Sequence, residues 1–554
     1  MKSILFSFVL LACFSATLDA QGRYDFYFNK GKTAFEAQDF KKAIDAFEAA
    51  KICSDATAPK IEKADQWLKD AQEKYITAIE DEKRKAEEAL AVAEKAKEAA
   101  ERSSRISEAS RRAFLANQEL EQEKGADALQ LAYSAFQLIG EGTTPSVIKA
   151  FGDAVFSVYS RPFADGKDLR SLLFSSDGNY ILGRSGNNAA LIWDVAQLQQ
   201  KVLSGHSGYV LSACFSPNGL SVLTTSADHT AKLWDLKGTL LATCTGHLDA
   251  VTGGTFSPDS KLLLTWSRDG SAKLWDHQGK ELGTFSGHDA PVLEALFTLD
   301  GSTVLTRGAD HKVCIWGTGV FDKPKAEVTH NGHIYFVSLS QSGDRFLTGG
   351  ADQVARVWDL KGTLIATLKG HTGPVHIGSF SRDGKSLLTA STDGTVKWWD
   401  AEGNLLRTLN AHQNWITSAS FSPDGNTVLS ASKRGRVAIW QQDDQVFIME
   451  KHSQEVTSAC FSPDGKEIMT TSKDGTAKLW DLQGNVLMNQ QDRSGEKNAS
   501  PESVFSPDGQ LVLTFWPGSR AILCPIPNVV YQKLKMDPPP PFSPAQKVRF
   551  EILE

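Results

Sequence analysis

The chain has 554 residues, 41% apolar and 23% charged, with a formal net charge of −7. That length is too great for one hydrophobic core and predicts two or more domains of ordinary globular composition. The negative balance, with no Lys/Arg-rich stripe in the second half, argues against nonspecific nucleic-acid binding, which needs a basic surface. Seven scattered cysteines with no CxxC and no close pairs argue against a disulfide framework or a thiolate metal site. Cys53, Cys214, Cys244, Cys314, Cys460 and Cys524 are expected as free, buried thiols.

Lys2, the apolar stretch from Ile4 to Leu18, and Leu18-Asp19-Ala20 before Gln21 read as a signal peptide over residues 1–20. The stretch is too short and too abruptly followed by polar sequence for a membrane span, and no other long apolar run exists. The expected location is therefore secreted or periplasmic. Leu10-Leu11-Ala12-Cys13 resembles the lipobox of bacterial lipoproteins, so a lipid anchor at Cys13 is the alternative.

Residues 24–57 predict a helical hairpin. Small and aromatic residues alternate at Tyr27, Gly31, Phe40, Ala43, Phe47 and Ala50, where small side chains let two helices approach and rings fill the gap. The spacing resembles one tetratricopeptide repeat. A single such repeat cannot bury its face alone, so it needs a following helix, another copy or a peptide. Gly31-Lys32-Thr33 is not read as a phosphate loop, because Phe26 stands where the earlier glycine belongs and no strand precedes it.

Residues 58–150 read as a long helix and helical connector. From Lys60 to Glu123 there is neither Pro nor Gly, and Ala, Glu, Lys and Arg dominate. Ala86, Ala93 and Ala100, seven apart, suggest a coiled-coil seam and self-association; a solvated helix laced with i,i+4 ion pairs is the alternative. A break is expected at Gly140-Glu-Gly142. Asp153–Ser160 then reads as an extra strand opening an all-β region over 153–530.

That region repeats one pattern nine times. Phe174, Phe215, Phe256, Phe297, Leu339, Phe380, Phe421, Phe461 and Phe505 are each followed by a turn of the Ser-Pro-Asp-Gly type and an apolar run. A Trp, or Cys524 in the ninth unit, follows nineteen residues after each. Units begin 40 to 44 residues apart, the length of a four-stranded propeller blade. Gly-His precedes the Phe at positions such as Gly205-His206 and Gly246-His247, and Trp-Asp closes units, as at Trp234-Asp235.

In these residues the region resembles the WD-repeat family. The resemblance implies one closed β-propeller of nine units, eight blades being the alternative. It also implies that an extra strand before the first unit completes the last blade. The fold class is thus multidomain: helical first, then all-β. The family's hydrogen-bonded network would comprise His206, Ser226, Asp228 and Trp234 in the second unit, and His247, Ser267, Asp269 and Trp275 in the third. It would recur as His371, Ser391, Asp393 and Trp399, and as His452, Ser472, Asp474 and Trp480. It would be partial where Gly308 and Gly350 replace the Ser, where Arg434 replaces the Asp, and in the first unit, with Asp165 and Asn187. The ninth, with Glu496, Trp516, Gly518 and Cys524, would lack it. These histidines are expected to be structural; spread around a ring, they would not converge on a metal.

The resemblance further implies that the Gly-His loop and the second hairpin turn share one face. Tyr209, Ala250, Pro291, His333, Pro374, Trp415 and Glu455 would begin the innermost strands there, with Arg268 and Lys433 nearby. Tyr209, Arg268, His333, Trp415 and Lys433 are of types suited to a partner-binding face. No HExxH, GxSxG or phosphate loop is present, so no catalytic, cofactor or metal residues are assigned. The expected function is a non-enzymatic protein-interaction scaffold of the bacterial periplasm or cell envelope. A glycan or cell-wall binding module is the alternative, and an enzyme using the propeller channel a third. Residues 536–554 read as a Pro-rich tail, with Pro538–Pro541 a stiff spacer and a short strand after Val548.

Overall fold

A computed structural model describes residues 22–139, 144–164, 169–321, 323–410, 412–442, 445–491 and 500–552. The signal segment, Cys13, Gly140–Gly142, Asp165 and Glu496 lie outside the described residues. The chain divides into two compact units, residues 1–105 and 106–554.

In the first unit, helices α1 (Arg23–Glu36) and α2 (Phe40–Lys51) form a hairpin. Asp39 caps α2 by accepting from the Lys42 N–H at 3.2 Å. A Cβ on Gly31 would stand 2.7 Å from the Phe47 ring, so only glycine permits the approach. Helix α3 (Ala58–Glu121) supplies the covering surface the hairpin needs. Its first turns bring Ala64, Leu68 and Ala71 onto Tyr24, Phe28, Ala43 and Phe47, with Trp67 alongside. Beyond Ala71, up to residue 105, α3 is almost entirely exposed, including Ala86, Ala93 and Ala100. Pairs such as Lys83–Glu87 and Arg84–Glu88 run along it.

The second unit contains nine four-stranded antiparallel sheets. Eight are built from consecutive strands; blade 2, for example, is Val210–Phe215, Ser221–Ser226, Thr230–Asp235 and Leu240–Thr245. The ninth takes its outer strand from Arg161–Ala164, which pairs with Ala521–Pro525 and closes the ring. Closure protects the edges that an open sheet would expose.

Asp153–Ser160 is not that strand. It belongs to helix α5 (Pro145–Tyr159), which follows α4 (Gly125–Ile139). Its buried residues Val147, Ala150, Phe151, Ala154 and Val155 recur at helical spacing, a stripe that outweighs the β-branched and aromatic content. Helix α5 lies against the outer strand of blade 8, Val486–Gln491, so closely that a Cβ on Gly152 would fall 1.7 Å from the Leu487 carbonyl oxygen. Asp153 accepts from the Asn489 N–H at 2.9 Å and so occupies a donor on that edge.

The C-terminal segment forms helices rather than a free tail and strand. Helix α6 (Pro527–Met536) and helix α7 (Pro544–Arg549) pack on α4 and α5. The Tyr133 hydroxyl donates to the Leu534 carbonyl at 3.0 Å, and Arg111 donates to the Phe550 carbonyl at 2.8 Å. The intervening prolines are held by Gln130, which donates to the Pro540 carbonyl.

Candidate interaction face and the blade relays

Each of blades 2 to 6 and blade 8 carries the same buried relay. In blade 3 the Trp275 indole N–H donates to Thr265 Oγ1 at 2.8 Å. Thr265 Oγ1 lies 2.8 Å from His247 Nε2, and His247 Nδ1 lies 2.8 Å from Asp269. With Nδ1–H donating to the carboxylate, Nε2 accepts the threonine hydroxyl, and every group is satisfied. Burial pushes His247 below its ordinary pKa although Asp269 pulls the other way. Burial would raise Asp269, but hydrogen bonds from Ser271, the Leu248 N–H and His247 overcome it and lower the group to about 2.

The serine expected in this network is not in it. Ser267 Oγ accepts from the Asp269 N–H and donates to the Asp249 carbonyl, and Ser226, Ser391 and Ser472 make the equivalent bonds. They tie the two loops together beside the relay. The relay hydroxyl is two residues earlier, at Thr224, Thr265, Thr306, Thr348, Thr389 and Thr470. Blades 4 and 5 therefore have complete relays despite Gly308 and Gly350.

Three blades depart. In blade 7, Ser430 links Trp440 to His412, but Arg434 replaces the aspartate and His412 Nδ1 has no hydrogen-bond partner. Burial, then Arg436, lowers His412 to about 4. In blade 1 the hydroxyl position is Gly183, and Trp193 Nε1 is buried without an acceptor. In blade 9, Thr514 instead donates to Gln490.

The loops beside the relays form the candidate face. The Ala227 N–H donates to the Tyr209 carbonyl, Arg268 to Ala250, Ala351 to His333, and Lys433 to Trp415. The two predicted sets of face residues are thus neighbours, blade after blade. In blades 1 to 8 the innermost strand shifts register just after its first residue, as between Val210 and Ser212, a bulge that re-aims the chain at this rim. Tyr209 is 65% exposed, Trp415 39%, and Arg268 is also exposed. Leu248, which sequence reasoning passed over, is 85% exposed in the adjoining loop of blade 3. Trp415 is held in place: Lys433 Nζ lies 3.5 Å from its ring centroid, and its ring packs edge-on against His376, whose Nε2 donates to the Ile416 carbonyl at 2.6 Å. His333 is half-buried and makes an edge contact with Tyr335.

Among the described residues no cluster of three or more His, Cys, Asp or Glu could hold a metal, and no helix is long and apolar enough to cross a membrane. All six described cysteines are free; Cys244, Cys314 and Cys524 are buried and the other three half-buried.

Residues 197–235, 238–276, 279–317, 324–359, 362–400, 403–441 and 443–481 match the family described as WD domain, G-beta repeat. With the nine four-stranded sheets, this defines a WD-repeat β-propeller; blade 9 and the three inner strands of blade 1, which lack the relay, fall outside the matched repeats. No curated protein matches the chain. Among solved structures, the C-terminal WD40 domain of Sif2 is similar with a TM-score of 0.49 and 18% identity, over 66% of this chain and 98% of that one. The computationally designed Ika8 protein gives 0.45 and 23%, with the same coverage of each chain.

Proposed function

We propose that the protein is a non-enzymatic interaction scaffold of the bacterial periplasm or cell envelope. It binds partner proteins through the Gly-His face of the ring, at Tyr209, Arg268, His333, Trp415 and Lys433, and through its helical arm. The observation that carries this reading is the exposure of Tyr209, Leu248 and Trp415 in loops where polar residues would serve solubility better. Trp415, packed between Lys433 and the His376 ring, would lose little side-chain freedom on binding, which favours a hot spot. The relay residues serve blade stability; in the complete relays both imidazole nitrogens are already engaged.

Joint replacement Tyr209→Ala and Trp415→Ala tests the face. The double variant is expected to melt like the wild type and to lose cross-linked envelope proteins. An unchanged partner set would move the interface to the helical arm, and loss of glycan rather than protein capture would favour cell-wall binding. Export is checked by the native N-terminus: Gln21 supports cleavage, a lipidated Cys13 the anchored form, and an intact Met1 refutes both.

A further inference from the structure

At the far end of blade 8 from Ser472, the strand Glu467–Ser472 begins with an acid where blades 2, 4, 6 and 7 place Ser or Thr. Glu467 is only 9% exposed, and its Oε2 is buried without a hydrogen-bond partner. It pairs directly across the sheet with Asp481, so two acids stand opposite each other. Like charges in that arrangement repel. Asp481 is satisfied by its own turn, accepting from the Gln483 and Asn485 N–H groups. Lys466 pairs with Asp464 at 3.2 Å and is largely solvated, and its pull on Glu467 is outweighed by burial and by Asp464.

Both acids line a cavity of about 250 Å³ between blade 8 and helices α4, α5 and α6. Its other walls are chiefly apolar and aromatic, with Phe136, Phe151, Tyr531 and Leu487, joined by Asn528 and the cationic Lys466. The three rings form one cluster, with centroids 4.5 Å apart for Phe136–Tyr531, 5.6 Å for Phe136–Phe151 and 6.0 Å for Phe151–Tyr531. Lys535 stands over Tyr531 at 5.0 Å but is not part of the cavity wall.

A buried carboxylate without a hydrogen-bond partner, beside aromatic rings, is complementary to one kind of guest. We propose that this cavity binds a small organic ammonium ion, whose charged head meets Glu467 and whose apolar body lies against Phe136, Phe151 and Tyr531. The volume falls below the roughly 300–1,000 Å³ of drug-sized sites, which restricts the guest to a compact molecule. Burial, then Asp464, pushes Glu467 up to about 7 against the opposing pull of Lys466. A bound cation would reverse that and hold it ionised. The site is separate from the Gly-His face and makes the junction of ring and helices a place where a small metabolite could be sensed.

The test is calorimetric titration of the full chain at pH 8 with n-butylammonium, with 1-butanol as the neutral control. Saturable binding of the ammonium is expected, weaker by about tenfold or more for 1-butanol and for Glu467→Gln, since a hydrogen bond to a charged group is worth about 1.5–3 kcal/mol. The Gln variant keeps the shape, and its circular dichroism and melting establish that it is folded. No binding of n-butylammonium, equal binding of 1-butanol, or unchanged affinity in folded Glu467→Gln would each overturn the proposal.

Discussion

Blade 3 and blade 7 share four strands, the same turns and a buried Trp–hydroxyl–His chain, yet differ at the end of that chain. Asp269 accepts from His247 in one; in the other Arg434 stands in the aspartate position and His412 Nδ1 goes unbonded. Blade 7 nevertheless keeps its sheet, with Val428–Ser432 and Val437–Trp440 in register. The relay therefore does not specify the blade. Strand pattern and turn chemistry do that, and the relay satisfies polar groups the fold has already buried.

The largest test of this contrast is acid. His412 is lowered to about 4 in the folded protein, against an ordinary value near 6.5. Below pH ~6.5 the unfolded chain takes up a proton that the folded one refuses, so stability falls as pH drops toward 4. That 2.5-unit gap corresponds to about 3 kcal/mol. Denaturant melts at pH 7 and pH 4 should show a smaller acid loss in His412→Gln than in the wild type. An identical loss would mean that His412 is accessible to protons.

Next in size, His206→Ala in blade 2 should cost about 1–3 kcal/mol at pH 7, because Thr224 and Asp228 lose their shared partner. His412→Ala should cost less, since no carboxylate is left behind. Thr265→Val should cost about 2 kcal/mol by depriving Trp275 and His247 of the hydroxyl between them, and a loss no larger than ~0.5 kcal/mol would remove the threonine from the relay. Smallest is a gain: Arg434→Asp should give His412 Nδ1 an acceptor and add about 1 kcal/mol, readable as a shift in the urea midpoint.

Much of the propeller was legible because its signals are local and repeated. Each Ser-Pro-Asp-Gly turn and each closing Trp could be placed without knowing the rest of the ring. The relay threonine was legible too, though missed: Thr224, Thr265, Thr306, Thr348, Thr389 and Thr470 stand nine residues after the Phe position with greater regularity than the serines, which Gly308 and Gly350 interrupt. Serine drew attention because it stands beside the turn Asp, where it does bond, but to backbone. Asp153–Ser160 misled for a different reason. Val155, Phe156, Val158 and Tyr159 are strand formers, and only the longer stripe beginning at Val147 reveals the helix.

By itself the sequence determined the nine repeated units, their turns and a helical first region. Each of these follows from short-range backbone preference and hydrophobic period. Only tertiary structure decided that Arg161–Ala164 closes the ring and that Gly152 lets α5 cover blade 8. It also decided that the C-terminal helices fold back onto α4 and that Glu467 faces a ring-lined cavity. Those outcomes depend on which distant surfaces meet, and burial and polar satisfaction become defined only once they have met.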